Sequence, residues 1–302
     1  TPYNALAHQV MAILFQKVSV PMTQLLQLNK NFPVWRTIPD EDLALLIGYM
    51  AEQDFIEIMD DEAIVGLEGE RLLRSRDFYA LFFTTSDFSV HYQHERIGSL
   101  PFTPEIQIES KILLAGRVWI VKDIDVKAKR IQVERTKEGR PPKFISDEGF
   151  VSNEVRENME KLLRTGEYLN LNNDKITRDF DFLKSALYFD AGNYWFEDNQ
   201  TNIGIVTFKG TKFNIALLLL IKSIVGEGEK YQLHDKHSLI TGPDLKRIMQ
   251  RLTDEDVSLD TVAAYLDRNE KAIEELTVHQ KFMQLVPTCL KIKWILNNFF
   301  SV

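Results

Sequence analysis

The chain has 302 residues, 44% hydrophobic and 26% charged, with 36 Lys and Arg against 44 Asp and Glu. That length accommodates two or three domains, and a net charge of −8 argues against a surface that coats nucleic acid all over. The one cysteine, Cys289, excludes an internal disulfide and a cysteine-based zinc site, and predicts a reducing, cytoplasmic setting in which the Asn199-Gln200-Thr201 sequon is incidental.

In chain order, the opening TPYNALAHQVMAILFQ lacks an initiating Met and a basic stretch, so it reads as the interior of a longer protein and not as a signal peptide. Residues 1–75 have the pattern of a winged helix. Leu6, Val10, Ile13 and Leu14 form one face of a first helix over about 3–17. Pro21 opens a second, short helix. Pro39-Asp40 starts a third, whose apolar stripe is Leu43, Leu46, Ile47 and Met50. FIEIM and AIVGL, joined at Asp60-Asp61-Glu62, predict a hairpin wing, and EGERLLRS a closing helix. A helix that reads the major groove presents Arg, Lys, Asn or Gln. This third helix begins Asp40-Glu41-Asp42 and carries Glu52, which suits the helix dipole and repels phosphate. Protein docking or strand guiding fits it better than sequence reading.

Residues 76–148 switch to period two: FYALFFTT, FSVHYQ, ERIGSL, KILLAG, RVWIVKDI and RIQVERT predict short strands of a small antiparallel β-barrel or a strongly curled sheet. From 149 to 302 the pattern is mixed α/β. A helix over NEVRENMEKLLRTG turns Val155, Met159, Leu162 and Leu163 inward, and another follows near 178–188. YWFED and IGIVTF are strands, and LHDKHSLI is a hairpin. FNIALLLLIKSIV, interrupted by Lys222, is far short of the roughly 20 apolar residues that span a bilayer and reads as a buried helix. Helices near 244–252, 258–267 and 270–281 precede a final segment. The fold class is therefore α+β and multidomain, in segments 1–75, 76–148 and 149–302.

Chemistry-bearing motifs are few. Gly204 to Lys212 superficially resembles a phosphate loop, which needs G-x-x-x-x-G-K-S/T. Here Gly210-Thr211-Lys212 inverts the last pair, so it is a strand-to-helix turn and no ATPase activity is expected of these residues. His234 and His237 flank Asp235 and Lys236; a neighbouring lysine repels a metal ion, and an exposed hairpin tip suits them better. No catalytic or metal-ligating set follows from spacing.

One asymmetry stands out. Residues 116–143 hold nine Lys and Arg against four Asp and Glu, a net +5 that leaves −13 for everything else. The bland reading is a solvated barrel face. The functional reading is a phosphate-tracking patch beside aromatic rings that stack bases. Its candidate residues are Arg117, Trp119, Lys122, Arg130, Arg135, Lys137, Arg140, Lys143 and Phe144. Trp119 is either core, as large aromatics usually are, or a base contact. Phe144 follows Pro141-Pro142-Lys143 in a loop and is a candidate for stacking.

Four stretches in order carry a resemblance. YNALAHQVMAIL (3–14), ERIGSL (95–100), ILLAGRVWIVKDID (112–125) and PPKF (141–144) are similar to signatures in the C-terminal part of Lhr-type (large helicase-related) superfamily 2 DNA helicases. The first looks like that family's P-L-D-V-L-A-Q, the third like its f-x-L-G-x-x-x-W-r-I-x-x-I, and PPKF falls where the family has P-x-W. The resemblance covers most of residues 1–150. It implies the accessory half of an ATP-dependent DNA helicase acting in DNA repair. ATP and Mg would belong to motor domains of the same chain, and single-stranded DNA or an RNA:DNA hybrid would be the partner. Phe144 would take the place of the family's base-stacking Trp, while the family's following Gly-Asp is replaced by Ile145-Ser146-Asp147. The competing expectation is a protein-interaction module without direct nucleic-acid binding.

Overall fold

A computed structural model describes residues 2–81, 87–93, 95–101, 106–126, 128–136, 149–167, 173–190, 192–198, 202–226, 230–254, 257–278 and 280–300. Among these the chain is mixed α/β, with three sheets, one of them a curled half-barrel. Contacts divide the chain into two units, residues 1–81 with 150–302, and residues 82–149. The sequence reading expects three segments. The difference arises because the first 81 residues share a core with the end of the chain.

The first unit begins with α1 (Tyr3–Lys17), β1 (Ser19–Pro21), α2 (Met22–Leu25), α3 (Leu28–Asn31) and α4 (Asp40–Glu52). The hairpin β2 (Ile56–Met59) and β3 (Glu62–Val65) then leads to α5 (Leu67–Leu73). The strands pair antiparallel in the order β1-β3-β2. Asp60 and Asp61 both have positive φ, 49° and 65°, as a tight two-residue hairpin turn demands. The expected stripes are buried: Leu6, Val10 and Leu14 from α1 meet Leu43, Leu46, Ile47 and Met50 from α4. Phe282, Met283, Leu285, Val286 and Leu290, more than 200 positions later, complete the same core. Asp42 binds the two ends together, accepting from Tyr3 Oη at 2.5 Å and from Lys293 Nζ at 2.7 and 2.8 Å.

The same unit continues with α6 (Asn153–Thr165), α7 (Asp174–Ala186), β9 (Leu187–Asp190), β10 (Asn193–Asp198) and β11 (Asn202–Val206). There follow α8 (Thr211–Val225), β12 (Gln232–His234), β13 (Leu239–Gly242), α9 (Leu245–Asp254), α10 (Leu259–Asp267), α11 (Glu270–Thr277) and α12 (Thr288–Phe299). These strands form a five-stranded antiparallel sheet, β12-β13-β11-β10-β9. Helix α8 is apolar nearly all round because it is covered on two sides. Leu217 and Ile221 pack with Trp195, Ile205 and Ile240 of the sheet. Ala216 and Leu219 pack with Val262, Leu266 and Ile295 of the helices. Each of the fully buried leucine, isoleucine and valine side chains contributes about 1.5–3 kcal/mol. No helix among the described residues is long and apolar enough to cross a membrane.

Two expectations fail here. Of the strand expected over FYALFFTT, residues 78–85, Phe78 and Tyr79 instead belong to a 3-10 turn over Arg76–Tyr79, because Phe78 turns inward against His8 and Phe282, with ring centroids 4.6 and 5.9 Å away; residues 82–85 lie outside the described residues. On α6 the buried side chains are Arg156 and Leu163, while Val155 and Met159 are exposed. The helix is rotated because Arg156 donates through Nη2 to the Asp235 carbonyl at 2.5 Å.

The second unit comprises β4 (Asp87–Tyr92), β5 (Glu95–Pro101), β6 (Lys111–Leu114), β7 (Arg117–Asp125) and β8 (Arg130–Arg135). Their order is β5-β4-β8-β7-β6. Of the two expected forms, a small antiparallel barrel or a strongly curled sheet, the structure has the curled one, a half-barrel with β5 and β6 as edges; it departs from the antiparallel expectation in one parallel pair, β4 with β8. Alternation puts Phe88 and Val90, Trp119 and Val121, and Ile131 and Val133 on its buried face.

Candidate nucleic-acid interface

Among the described residues the cationic candidates Arg117, Lys122, Arg130 and Arg135 sit on the β7–β8 hairpin, whose register fixes their spacing. Trp119 pairs with Arg135, Val121 with Val133, and Asp125 with Arg130, with an irregularity between Val121 and Asp123. Arg117, two residues before Trp119, lies on the same strand face and is a diagonal neighbour of Arg135, about 7–8 Å away in backbone terms. These two arginines therefore share one end of the hairpin. Arg130 is at the other end, five residues along β8 and roughly 17 Å distant. Lys122 falls at the irregularity, midway along.

Their partners separate them further. Lys122 Nζ donates to Glu109 Oε1 at 2.8 Å, and that hydrogen bond holds its ammonium above the usual lysine range. Its charge is already compensated. Arg117, Arg130 and Arg135 are exposed and none is ion-paired among the described residues. Arg135 lies over the Tyr92 ring, its guanidinium carbon 5.0 Å from the centroid, and 5.9 Å from that of Trp119. Lys137, Arg140, Lys143 and Phe144 lie outside the described residues, as does Lys127.

Trp119 is core. It is 3% exposed, its indole N–H donates to the Leu114 carbonyl at 3.0 Å, and it packs with Phe88, Val90 and Ile112. A base has no access to its face, so its reading as a base contact gives way to the structural one. Tyr92 was missed in the sequence. The alternation Phe88, Val90, Tyr92 does place it on the inward face, but its pairing with Arg135 depends on the parallel β4–β8 contact, which no local pattern announces.

The other motifs resolve as architecture. The turn from β11 to α8 holds its donors for the chain itself: Thr211 N–H donates to the Val151 carbonyl at 3.0 Å, and Gly210 N–H to Asn153 Oδ1 at 2.7 Å. A phosphate would find these N–H groups occupied. His234 Nε2 lies 3.2 Å from Thr241 Oγ1 across the β12–β13 hairpin, and His237 is exposed. On α4, the exposed acids are Asp40, Glu41 and Glu52. Lys30 and then Asn29, hydrogen-bonded to Asp40, hold its carboxyl below the usual range. Asp42, expected at the surface, is buried instead.

No family model matches this chain, and no curated protein matches it. Among solved structures, the DUF1998 helicase MrfA bound to DNA is similar over 83% of this chain, at 10% sequence identity and a TM-score of 0.24. The match covers 34% of that helicase, so this chain spans about a third of its length. A likeness of that degree assigns neither a fold family nor a function.

Proposed function

We propose that this chain is the accessory, nucleic-acid-engaging portion of an Lhr-like ATP-dependent DNA helicase that serves DNA repair. In this reading residues 1–75 act as a winged helix, and the half-barrel grips single-stranded DNA or the strand of an RNA:DNA hybrid. Motor domains of the same chain bind ATP and Mg and supply the force. The ordered resemblance of residues 3–14, 95–100, 112–125 and 141–144 to that family supports it. The carrying observation is the exposed pair Arg117 and Arg135 at one end of the β7–β8 hairpin, free of ion pairs among the described residues in a chain of net charge −8. Arginines so placed hold backbone phosphate without reading sequence.

Salt dependence tests this. Fluorescence anisotropy with a labelled single strand is expected to show affinity falling linearly on a log–log salt plot, with a slope of about −0.7 for each phosphate engaged. Absence of binding at low salt would defeat the proposal. It would favour a second reading, a protein-interaction module, which has its own support. A cleft of about 600 Å³ is lined by Leu14, Phe15, Val18, Ile64 and Leu73, and Phe15 and Val18 are 53% and 74% exposed.

A further inference from the structure

Of the three exposed arginines of the β7–β8 hairpin, Arg135 is the one that lies over an aromatic ring among the described residues. The stack is built outward from the core of the second unit. Trp119 is fixed by its neighbours and by its bond to the Leu114 carbonyl. Tyr92, half-buried, lies against it with centroids 5.2 Å apart and planes inclined at 51°. Arg135 covers Tyr92 and is itself exposed. A guanidinium restrained on an aromatic ring loses less conformational entropy when it engages a ligand, and a planar cation stacks on other π faces.

We propose that Arg135, positioned by Tyr92, is a stacking contact for an unpaired nucleobase as well as a phosphate contact. This inference rests on the proposed function and makes it more specific. The ligand is a strand whose bases are splayed out of a duplex, since arginine planes stack on bases only where those are unstacked. The competing role is structural: the arginine stem closing the end of the half-barrel core while its head stays in water.

The test uses the 302-residue protein and two probes of equal length, an oligothymidylate and an abasic strand, each of ~12 nucleotides. Arg135→Lys keeps the charge and removes the plane. It is expected to weaken oligothymidylate binding about tenfold, leaving abasic-strand affinity and the salt slope unchanged. Tyr92→Leu should reproduce that selective loss by releasing the guanidinium. Should Tyr92→Leu fail to fold, Arg135→Lys alone decides. Equal losses on both probes reduce Arg135 to a phosphate contact, and no loss on either reduces it to a core cap; both outcomes overturn the stacking role while the strand-binding reading stands. Wild-type protein that binds neither probe removes the strand-binding reading, and the stacking role with it.

Discussion

Asp42 is the third residue of α4, and its carboxyl side chain lies in a residue only 5% exposed. What makes the burial tolerable is the set of donors converging on it: Tyr3 Oη from α1, Lys293 Nζ from α12, and the favourable end of its own helix. Asp42→Ala strands the tyrosine hydroxyl and the lysine without their acceptor. Because Lys293 is 45% exposed, water recovers part of its loss. The expected destabilisation is about 2–3 kcal/mol, read from urea unfolding. Asp42→Asn retains an acceptor for Tyr3 and should lose about half as much. Equal losses for the two variants would show that the charge contributes most of the effect. A loss below about 0.5 kcal/mol for Asp42→Ala, the range of ordinary surface changes, would show that the tie is ornamental.

Among elements, α4 and α5 each contain a glycine, and the same substitution should act oppositely on them. Gly48 lies on the exposed face of α4, and a Cβ there meets nothing within 4 Å. Gly48→Ala should stabilise by about 0.5–1 kcal/mol, since alanine leaves less backbone entropy to lose. Gly69 of α5 lets that helix approach the hairpin so closely that a Cβ would lie 2.1 Å from the Phe55 carbonyl oxygen and 2.8 Å from Met11 Cε. Propensity still favours alanine by about 1 kcal/mol, but a backbone atom cannot step aside, and Gly69→Ala should destabilise by about 1–3 kcal/mol. Thermal unfolding of both variants checks the pair, and a common sign would refute the argument. Elements were legible in the sequence wherever burial follows a local period. The stripe of α4 and the five strands of the half-barrel were read in this way. The inward face of α6 was legible at Leu163 but not at its first turns, because a charged residue, Arg156, is buried there in place of Val155 and Met159, and its partner Asp235 is 79 positions away. In the candidate site the cationic hairpin was visible from composition, and the stack of Arg135 on Tyr92 was not. It requires knowing that β4 lies parallel to β8.

At the scale of the molecule, the decisive feature is that the first 81 residues do not own their core. Leu285 and Val286 are fully buried and Leu290 is 2% exposed, all in the cluster that also holds Leu6, Leu14, Leu46 and Met50. Leu290→Ala removes a side chain at the far end of the sequence and leaves a cavity in that shared core, at about 2–5 kcal/mol. If 1–81 and 150–302 form one cooperative unit, amide protection in α1 and α4 should fall together with that in α12, in proportion to the lost stability. Strands β7 and β8 belong to the other unit and draw on a separate cluster around Val90, Trp119 and Ile131, so their protection should not change. Hydrogen exchange read at peptide level distinguishes the outcomes. Loosening of α12 with α1 and α4 unaffected would mean that the N-terminal region folds by itself, as its sequence pattern alone suggests. Loss of protection in β7 and β8 as well would mean that the two units unfold as one.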